Sequence, residues 1–251
     1  MNAIIFSAGK GTRLRPLTDV KPKALVEIEN FTLLEIAIRK LTKYGIKRII
    51  INVHHFANQI IDFIKNNNFG EVEIFISDET QLLLDTGGGL VKAKNLFVKN
   101  MPIIAYNVDI ICNINLHKLI DFHNNNKNLV SMFVQNRTAS RFLLFDNENL
   151  LCGWQNPITG DEKWSTIPKE SSKLGYNGIQ VIDYEIFKHI KQQGVFSIIP
   201  IYIDLAANHK ICGWINNEVT WFDIGTPEKL NHTINYLNEC NDIEKSEFLG
   251  A

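Results

Sequence analysis

The sequence predicts an α/β protein built on a mixed, mostly parallel sheet flanked by helices. Two observations carry this. Short apolar runs alternate with longer segments whose apolar residues fall at helical spacing. The short runs are also apolar throughout, as expected of strands covered on both faces. At 251 residues, 45% hydrophobic and 21% charged, the chain can bury a large core. One domain over 1–251 is expected, with halves at about 1–112 and about 113–240.

Taken in order, Ala3-Ile4-Ile5-Phe6 reads as a buried strand. Residues 33–41 place Leu34, Ile38 and Leu41 on one helical face, and Gly45 is a stop signal. Residues 48–53 are a β-branched strand run, and 56–66 repeat the helical pattern through Ile60, Ile61 and Ile64. Residues 72–76 read as a strand, and 90–97 as a short helix opened by Gly87-Gly88-Gly89. A further buried strand covers 103–108. Crossovers between such strands are right-handed, and ligands gather beyond the strands' carboxyl ends. The segment after Phe6, residues 78–89 and Asp109 all fall at such ends. Residues 116–123 predict a helix; 129–134 and 142–145 predict strands. Turns at 147–149 and 157–160 suggest hairpins. The polar stretch 169–173 leads into a strand at 176–182, and 198–207 reads as a helix. Residues 220–224 read as a strand, after which Thr226 caps a last helix with Pro227 in its first turn.

The most informative stretch is Gly9-Lys10-Gly11-Thr12-Arg13-Leu14-Arg15-Pro16-Leu17-Thr18, continued to Pro22-Lys23-Ala24-Leu25. Glycines flanking one residue allow a tight loop whose N–H groups can approach a ligand closely. Arg13 adds a fork-shaped cation and Lys23 a point charge, a combination suited to polyphosphate. Lys10, Arg15 and Lys21 read as solvated charge. The stretch is neither a P-loop nor a dinucleotide fingerprint, lacking G-K-[ST] at the required spacing and a third glycine.

This stretch resembles the signature of the sugar-1-phosphate nucleotidyltransferases, the nucleoside-diphosphate-sugar pyrophosphorylases. The resemblance implies a Rossmann-like nucleotide-diphospho-sugar transferase fold with a nucleotide-binding half and a sugar-phosphate-binding half. It also implies the reaction: a sugar-1-phosphate oxygen attacks the α-phosphorus of a nucleoside triphosphate, and pyrophosphate leaves. By the same resemblance Arg13 steadies the β- and γ-phosphates, and Lys23 contacts the α- and acceptor phosphates. Ala8, Gly9, Gly11, Thr12, Thr86, Gly87, Gly88 and Asn107 are expected around the nucleotide. The run Leu84-Asp85-Thr86-Gly87-Gly88-Gly89 is similar to the family's base-reading loop. Tyr176-Asn177-Gly178 is similar to its sugar-closing segment, so Asn177 and Gly178 are expected at the sugar. Asp109 and Asp223 correspond to the aspartates that hold Mg2+, a hard cation that takes oxygen ligands. The family usually has Gly before the first aspartate, where this chain has Val108. Many relatives continue into a left-handed β-helix; the short stretch after the last helix implies the minimal catalytic form, without a C-terminal β-helix.

Over the whole chain the resemblance is greatest to N-acetylmuramic acid 1-phosphate uridylyltransferases and to heptose- or mannose-1-phosphate guanylyltransferases. Phosphocholine cytidylyltransferases share the Gly9–Lys23 pattern, and a catalytically silent nucleotide-binding protein is the alternative outside enzymes. UTP is the expected triphosphate, and cell-wall (peptidoglycan) recycling the expected setting. A net charge of −1 gives no global field for nucleic acid. No signal or membrane-spanning run is visible, and four scattered Cys read as reduced thiols, together implying the cytoplasm. Oligomeric state is not legible. The adjacent His54 and His55 point apart on a strand end and are not expected to hold a metal. Trp154, Trp164 and Trp221 are expected to pack more than to serve as sugar platforms, while Trp164, read in a loop, fits either role.

Overall fold

A computed structural model describes residues 1–250. The first half comprises β1 (Asn2–Phe6), β2 (Glu27–Ile28), β3 (Phe31–Thr32), α1 (Leu33–Lys43), β4 (Arg48–Val53), α2 (Ala57–Asn66), β5 (Glu73–Asp78), α3 (Asp85–Lys92), β6 (Ile103–Asn107) and β7 (Ile110–Cys112). The second half begins with α4 (Leu116–Asn126), β8 (Val130–Gln135), β9 (Phe142–Phe145), β10 (Leu151–Gln155), β11 (Glu162–Trp164) and β12 (Ser172–Ile182). It ends with α5 (Ile186–His189), α6 (Ile198–Ala206), β13 (Ile211–Ile215), β14 (Trp221–Asp223), α7 (Pro227–Glu239) and α8 (Asp242–Leu249).

A ten-stranded sheet runs through both halves in the order β11-β10-β9-β12-β6-β1-β4-β5, with β8 on the other side of β12 and β13 beyond it. The β6-β1-β4-β5 block is parallel. Strand β12 runs antiparallel to β6, β8 and β9 and joins the halves. Its register shifts between Tyr176 and Gln180, where Gly178 takes φ +77°. A Cβ at Gly178 would stand 2.9 Å from the Asn107 amide and from Ile110, so this glycine lets the two halves meet closely.

Strand alternation divides the core. Ala3, Ile5, Ile49, Ile51, Ile104 and Tyr106 face a cluster shared with α1, α4, α7 and α8. Ile4, Ile50, Ile103 and Ala105 face the opposite cluster, with α3, α5 and α6. Both faces are covered, which is why these strands read as continuous apolar runs. Helix α1 is capped by Thr32, whose hydroxyl accepts from Glu35 N at 3.1 Å.

Three readings need correction. The three glycines do not form a loop before a helix: Gly87, Gly88 and Gly89 lie inside α3 and are buried. They serve close packing, because a Cβ at Gly87 would overlap the Phe196 ring and one at Gly88 the Gly194 carbonyl. The helix after Thr226 is not the last. Helix α8 follows, opened by a capping box in which Asn241 Oδ1 accepts from Glu244 N at 3.0 Å and Glu244 accepts from Asn241 N at 3.1 Å. Finally, the polar stretch before residue 176 is already strand from Ser172 onward, paired with β9.

Candidate active site

The parallel strands β1 and β6 end side by side, with Phe6 opposite Asn107. Beyond Phe6 the chain enters the glycine loop. Asn52, at the end of β4, accepts from Ser7 N at 2.7 Å and Ala8 N at 3.2 Å, fixing where the loop leaves the sheet. Asn52 donates in turn to buried Glu79 at 2.8 Å, whose second oxygen accepts from Leu84 N at 3.0 Å. Gly11 takes φ +64°, and Thr18 donates to its carbonyl at 2.8 Å, closing the loop. A Cβ on Gly9 would meet nothing within 4 Å; its open side faces a cavity. Among the described residues no acceptor takes the N–H groups of Gly9, Lys10, Gly11 or Thr12. Free amides on a turn form an anion-binding concavity.

That cavity, of about 510 Å³, is lined by Ala8, Gly9, Gly11, Thr12, Arg13, Lys23, Thr86, Asn107 and Asp109, with Asn52, Glu79 and Asp85. Gly87 and Gly88 lie behind it, their N–H groups donating to Phe196 O at 3.0 and 3.2 Å. A second, larger cavity of about 760 Å³ shares Arg13, Asn107 and Asp109 with the first and is also bordered by Gly178 and Asp223. Two cavities that meet at one arginine and one carboxylate can bring two ligands together there. Arg13 makes no ion pair among the described residues.

The two aspartates are brought together by a small ladder. Strand β14 pairs antiparallel with β7, setting Asp223 opposite Ile110, and Ile224 N donates to Asp109 O at 2.9 Å. Each carboxylate is matched by an ammonium: Lys23 on Asp109, and Lys229 on Asp223 at 2.7 Å. Both carboxylates border the larger cavity, and their oxygens are of the kind a hard divalent ion takes once it displaces the ammonium partners. Among the described residues no group of three His, Cys, Asp or Glu could hold a metal, so the remaining ligands would be phosphate oxygens and water. His54 is engaged elsewhere, its Nδ1 lying 2.8 Å from Glu79 O, and the His55 ring lies against Phe56.

The larger cavity corrects two expectations. Asn177 is fully buried and does not border it. Its Oδ1 accepts from Arg137 Nε at 2.6 Å and its Nδ2 donates to Gln135 at 2.8 Å, so its amide holds another residue instead of reaching a sugar. Trp154 and Trp221 do not merely pack; both border the cavity, with Tyr176 and Phe142. Aromatic faces beside polar groups suit a sugar ring. Trp164 pairs opposite Gly153 and packs over it.

Sequence reasoning missed Arg137, Arg141, Lys163 and Lys229, which also border the larger cavity. They lie on β11, α7 and the β8–β9 connection, and no local pattern joins them. Asn52 and Glu79 were also missed. Asn52 had a signal, being a lone polar residue in the apolar run 49–53.

Open amides, a free arginine and paired carboxylates at adjoining cavities suit the binding of phosphate groups. The chain belongs to the nucleotidyl transferase family, whose model matches residues 2–144. The resemblance drawn from the Gly9–Lys23 stretch is thereby borne out. The chain is similar to the N-acetylmuramate alpha-1-phosphate uridylyltransferase of Caulobacter vibrioides, at 28% identity over 90% of this chain and 92% of the relative. It is also similar to the mannose-1-phosphate guanyltransferase of Saccharomyces cerevisiae, at 28% identity over 95% of this chain but 65% of that enzyme. Among solved structures, a UDP-glucose pyrophosphorylase from Acinetobacter baumanii shares the fold, with a TM-score of 0.76 at 16% identity over 97% of this chain and 95% of that one.

Proposed function

We propose that the protein joins UTP to a sugar-1-phosphate, with N-acetylmuramic acid 1-phosphate the leading acceptor, yielding a nucleoside-diphosphate sugar and pyrophosphate. The observation that carries this reading is the meeting of the two cavities at Arg13, Asn107 and Asp109. One is bordered by free amides and suits the triphosphate. The other is bordered by cations and aromatic rings and suits a sugar phosphate. The uridylyl assignment is supported by relatives that match along nearly their whole length.

In the reaction an acceptor phosphate oxygen forms a bond to the α-phosphorus, and the bond from that phosphorus to the bridging oxygen of the β-phosphate breaks. The electron pair leaves with pyrophosphate. The attacking oxygen is already anionic, so no side chain need remove a proton. The site must instead hold two repelling anions in line and stabilise the charge that develops. The amides of Gly9, Gly11 and Thr12 cradle phosphate oxygens. Arg13, reaching both cavities, neutralises the leaving pyrophosphate. Lys23 binds the phosphates at the junction. Asp109 and Asp223 would hold Mg2+, which when bound neutralises phosphate charge. Asn107, lining both cavities, orients the nucleotide. We place the reaction in the cytoplasm, in peptidoglycan recycling.

Pyrophosphate release measured with four triphosphates against a panel of sugar-1-phosphates and phosphocholine tests this. Turnover is expected with UTP and N-acetylmuramic acid 1-phosphate, dependent on Mg2+. Preference for GTP with mannose 1-phosphate would move the enzyme to the guanylyl group, which the yeast relative favours. No turnover with any pair would leave a silent nucleotide-binding protein.

A further inference from the structure

Arg137 is a cation of the larger cavity that the reaction as derived does not employ. Its guanidinium rests in a slot of neutral groups. Nε donates to Asn177 Oδ1 at 2.6 Å, one terminal nitrogen donates to Tyr176 O at 2.6 Å, and the other to Thr138 O at 3.1 Å. Its central carbon lies over the Trp221 ring, 4.1 Å from the centroid. The slot exists because residue 175 is glycine: a Cβ there would stand 2.9 Å from the guanidinium carbon. Asn177 is itself held. Gln135 accepts its Nδ2 and donates to Asn216 O and Val219 O at 2.9 and 2.7 Å, and Trp221 Nε1 donates to Asn177 O at 2.9 Å.

The contrast with the other cations is informative. Lys23, Lys163 and Lys229 each have a carboxylate at hand. Arg137 has none in contact, although Asp223 lies close enough to be felt. Withdrawing a charge from water is costly unless an opposite charge compensates. Burial pulls the Arg137 pKa down, yet a guanidinium keeps its proton at any working pH. Three of its five N–H donors are spent, leaving one on each terminal nitrogen of a side chain that borders the cavity. That is the edge with which arginine grips two oxygens of a phosphate. It lies over Trp221, two residues before Asp223 and near the junction with Asp109. Arg141, by contrast, stands beside Trp154.

We propose that Arg137 is the acceptor-phosphate clamp, binding the phosphate of the sugar-1-phosphate through its free edge while Asn177 keeps it oriented and unneutralised. This rests on the reading that the acceptor is a sugar-1-phosphate. In that role Arg137 is a substrate-binding residue, and Asn177 and Gly175 are positioning residues.

The test compares wild type with Arg137→Lys, Arg137→Gln and Asn177→Asp. Acceptors are N-acetylmuramic acid 1-phosphate, N-acetylglucosamine 1-phosphate and mannose 1-phosphate, and melting temperatures check the fold. Both Arg137 variants should raise the acceptor KM roughly ten- to a hundredfold, about 1.4 kcal/mol per tenfold, and by a similar factor for every acceptor used. The triphosphate KM should stay within about twofold. Asn177→Asp sets a carboxylate against Arg137 and should also raise the acceptor KM, although the guanidinium remains. A purely structural Arg137 predicts the opposite, since that new ion pair would leave kinetics unchanged. Calorimetric titration of each sugar-1-phosphate without triphosphate gives a readout independent of turnover. Wild type should bind at least one acceptor and the Arg137 variants bind it more weakly. Loss confined to the carboxylate-bearing N-acetylmuramic acid 1-phosphate, unchanged acceptor KM, or no binding of any sugar-1-phosphate by wild type would each overturn the clamp. Wild-type binding without turnover would count against the proposed reaction alone.

Discussion

Arg13 borders both cavities and has no carboxylate partner among the described residues, so its charge is available to a ligand. Lysine is a poor substitute because an ammonium cannot grip two oxygens as a planar fork does. Arg13→Lys should therefore lose roughly ten- to a thousandfold in kcat/KM, about 1.4 kcal/mol per tenfold, with an unchanged melting temperature. Near-normal kinetics would remove Arg13 from the site. Gly9 makes a complementary case. A Cβ there meets no protein atom, so Gly9→Ala should fold normally while raising the triphosphate KM, the methyl intruding where phosphate approaches. An unchanged KM would mean that nothing binds close to that loop. The loop was legible because its residues are contiguous and glycine has few other reasons to recur there. Arg137 was not, because its meaning lies in Gly175, Asn177 and Trp221, which come to it from two other strands.

At the scale of elements, the β7–β14 ladder carries the two aspartates on neighbouring strands far apart in sequence. If they hold one ion, neutralising either should disable the site, and their effects should not add. Asp109→Asn and Asp223→Asn should each abolish most activity, with the double variant little worse and all three near wild type in melting temperature. A capping role for Asp223 predicts instead an active Asp223→Asn enzyme with unchanged Mg2+ dependence, since Asn caps about as well as Asp. Helix α3 gives the opposite kind of expectation. Its glycines pack against Phe196, Gly194 and Glu79, so Gly88→Ala should destabilise by roughly 1–3 kcal/mol through overpacking. Denaturant unfolding measures this; unchanged stability would return the segment to a ligand-facing role. Most long elements were legible because their apolar periodicity extends over several turns or a whole buried strand. The glycine run misled because glycine normally signals a loop, and only the tertiary contact with Phe196 explains it within a helix. Strand β13 and helix α8 went unread, although Asn241 and Glu244 stand at capping-box spacing.

At the scale of the whole molecule, a net charge of −1 conceals a strongly uneven distribution. Five basic side chains and two carboxylates border the larger cavity, which suits a dianionic acceptor and could not be read from composition. Stability has a pH limit of its own. His123 is buried against Ser131, and burial depresses its pKa from 6.5 to about 4, with Asp183 opposing. The unfolded chain therefore takes up this proton first. The contribution is intact above about pH 6.5 and is lost as pH falls towards 4, on the order of 3 kcal/mol at about 1.4 kcal/mol per unit. His123→Gln should flatten the fall in stability over that window relative to wild type; parallel profiles would contradict the assignment. The central claim, transfer of a nucleotidyl group onto an acceptor phosphate, is tested most directly by isotope tracing. Sugar-1-phosphate carrying oxygen-18 in its non-bridging phosphate oxygens is turned over with unlabelled triphosphate, and the products are weighed by mass spectrometry. The account predicts that all the label appears in the nucleoside-diphosphate sugar and none in pyrophosphate. Label in pyrophosphate, or consumption of triphosphate without a labelled nucleotide sugar, would contradict it.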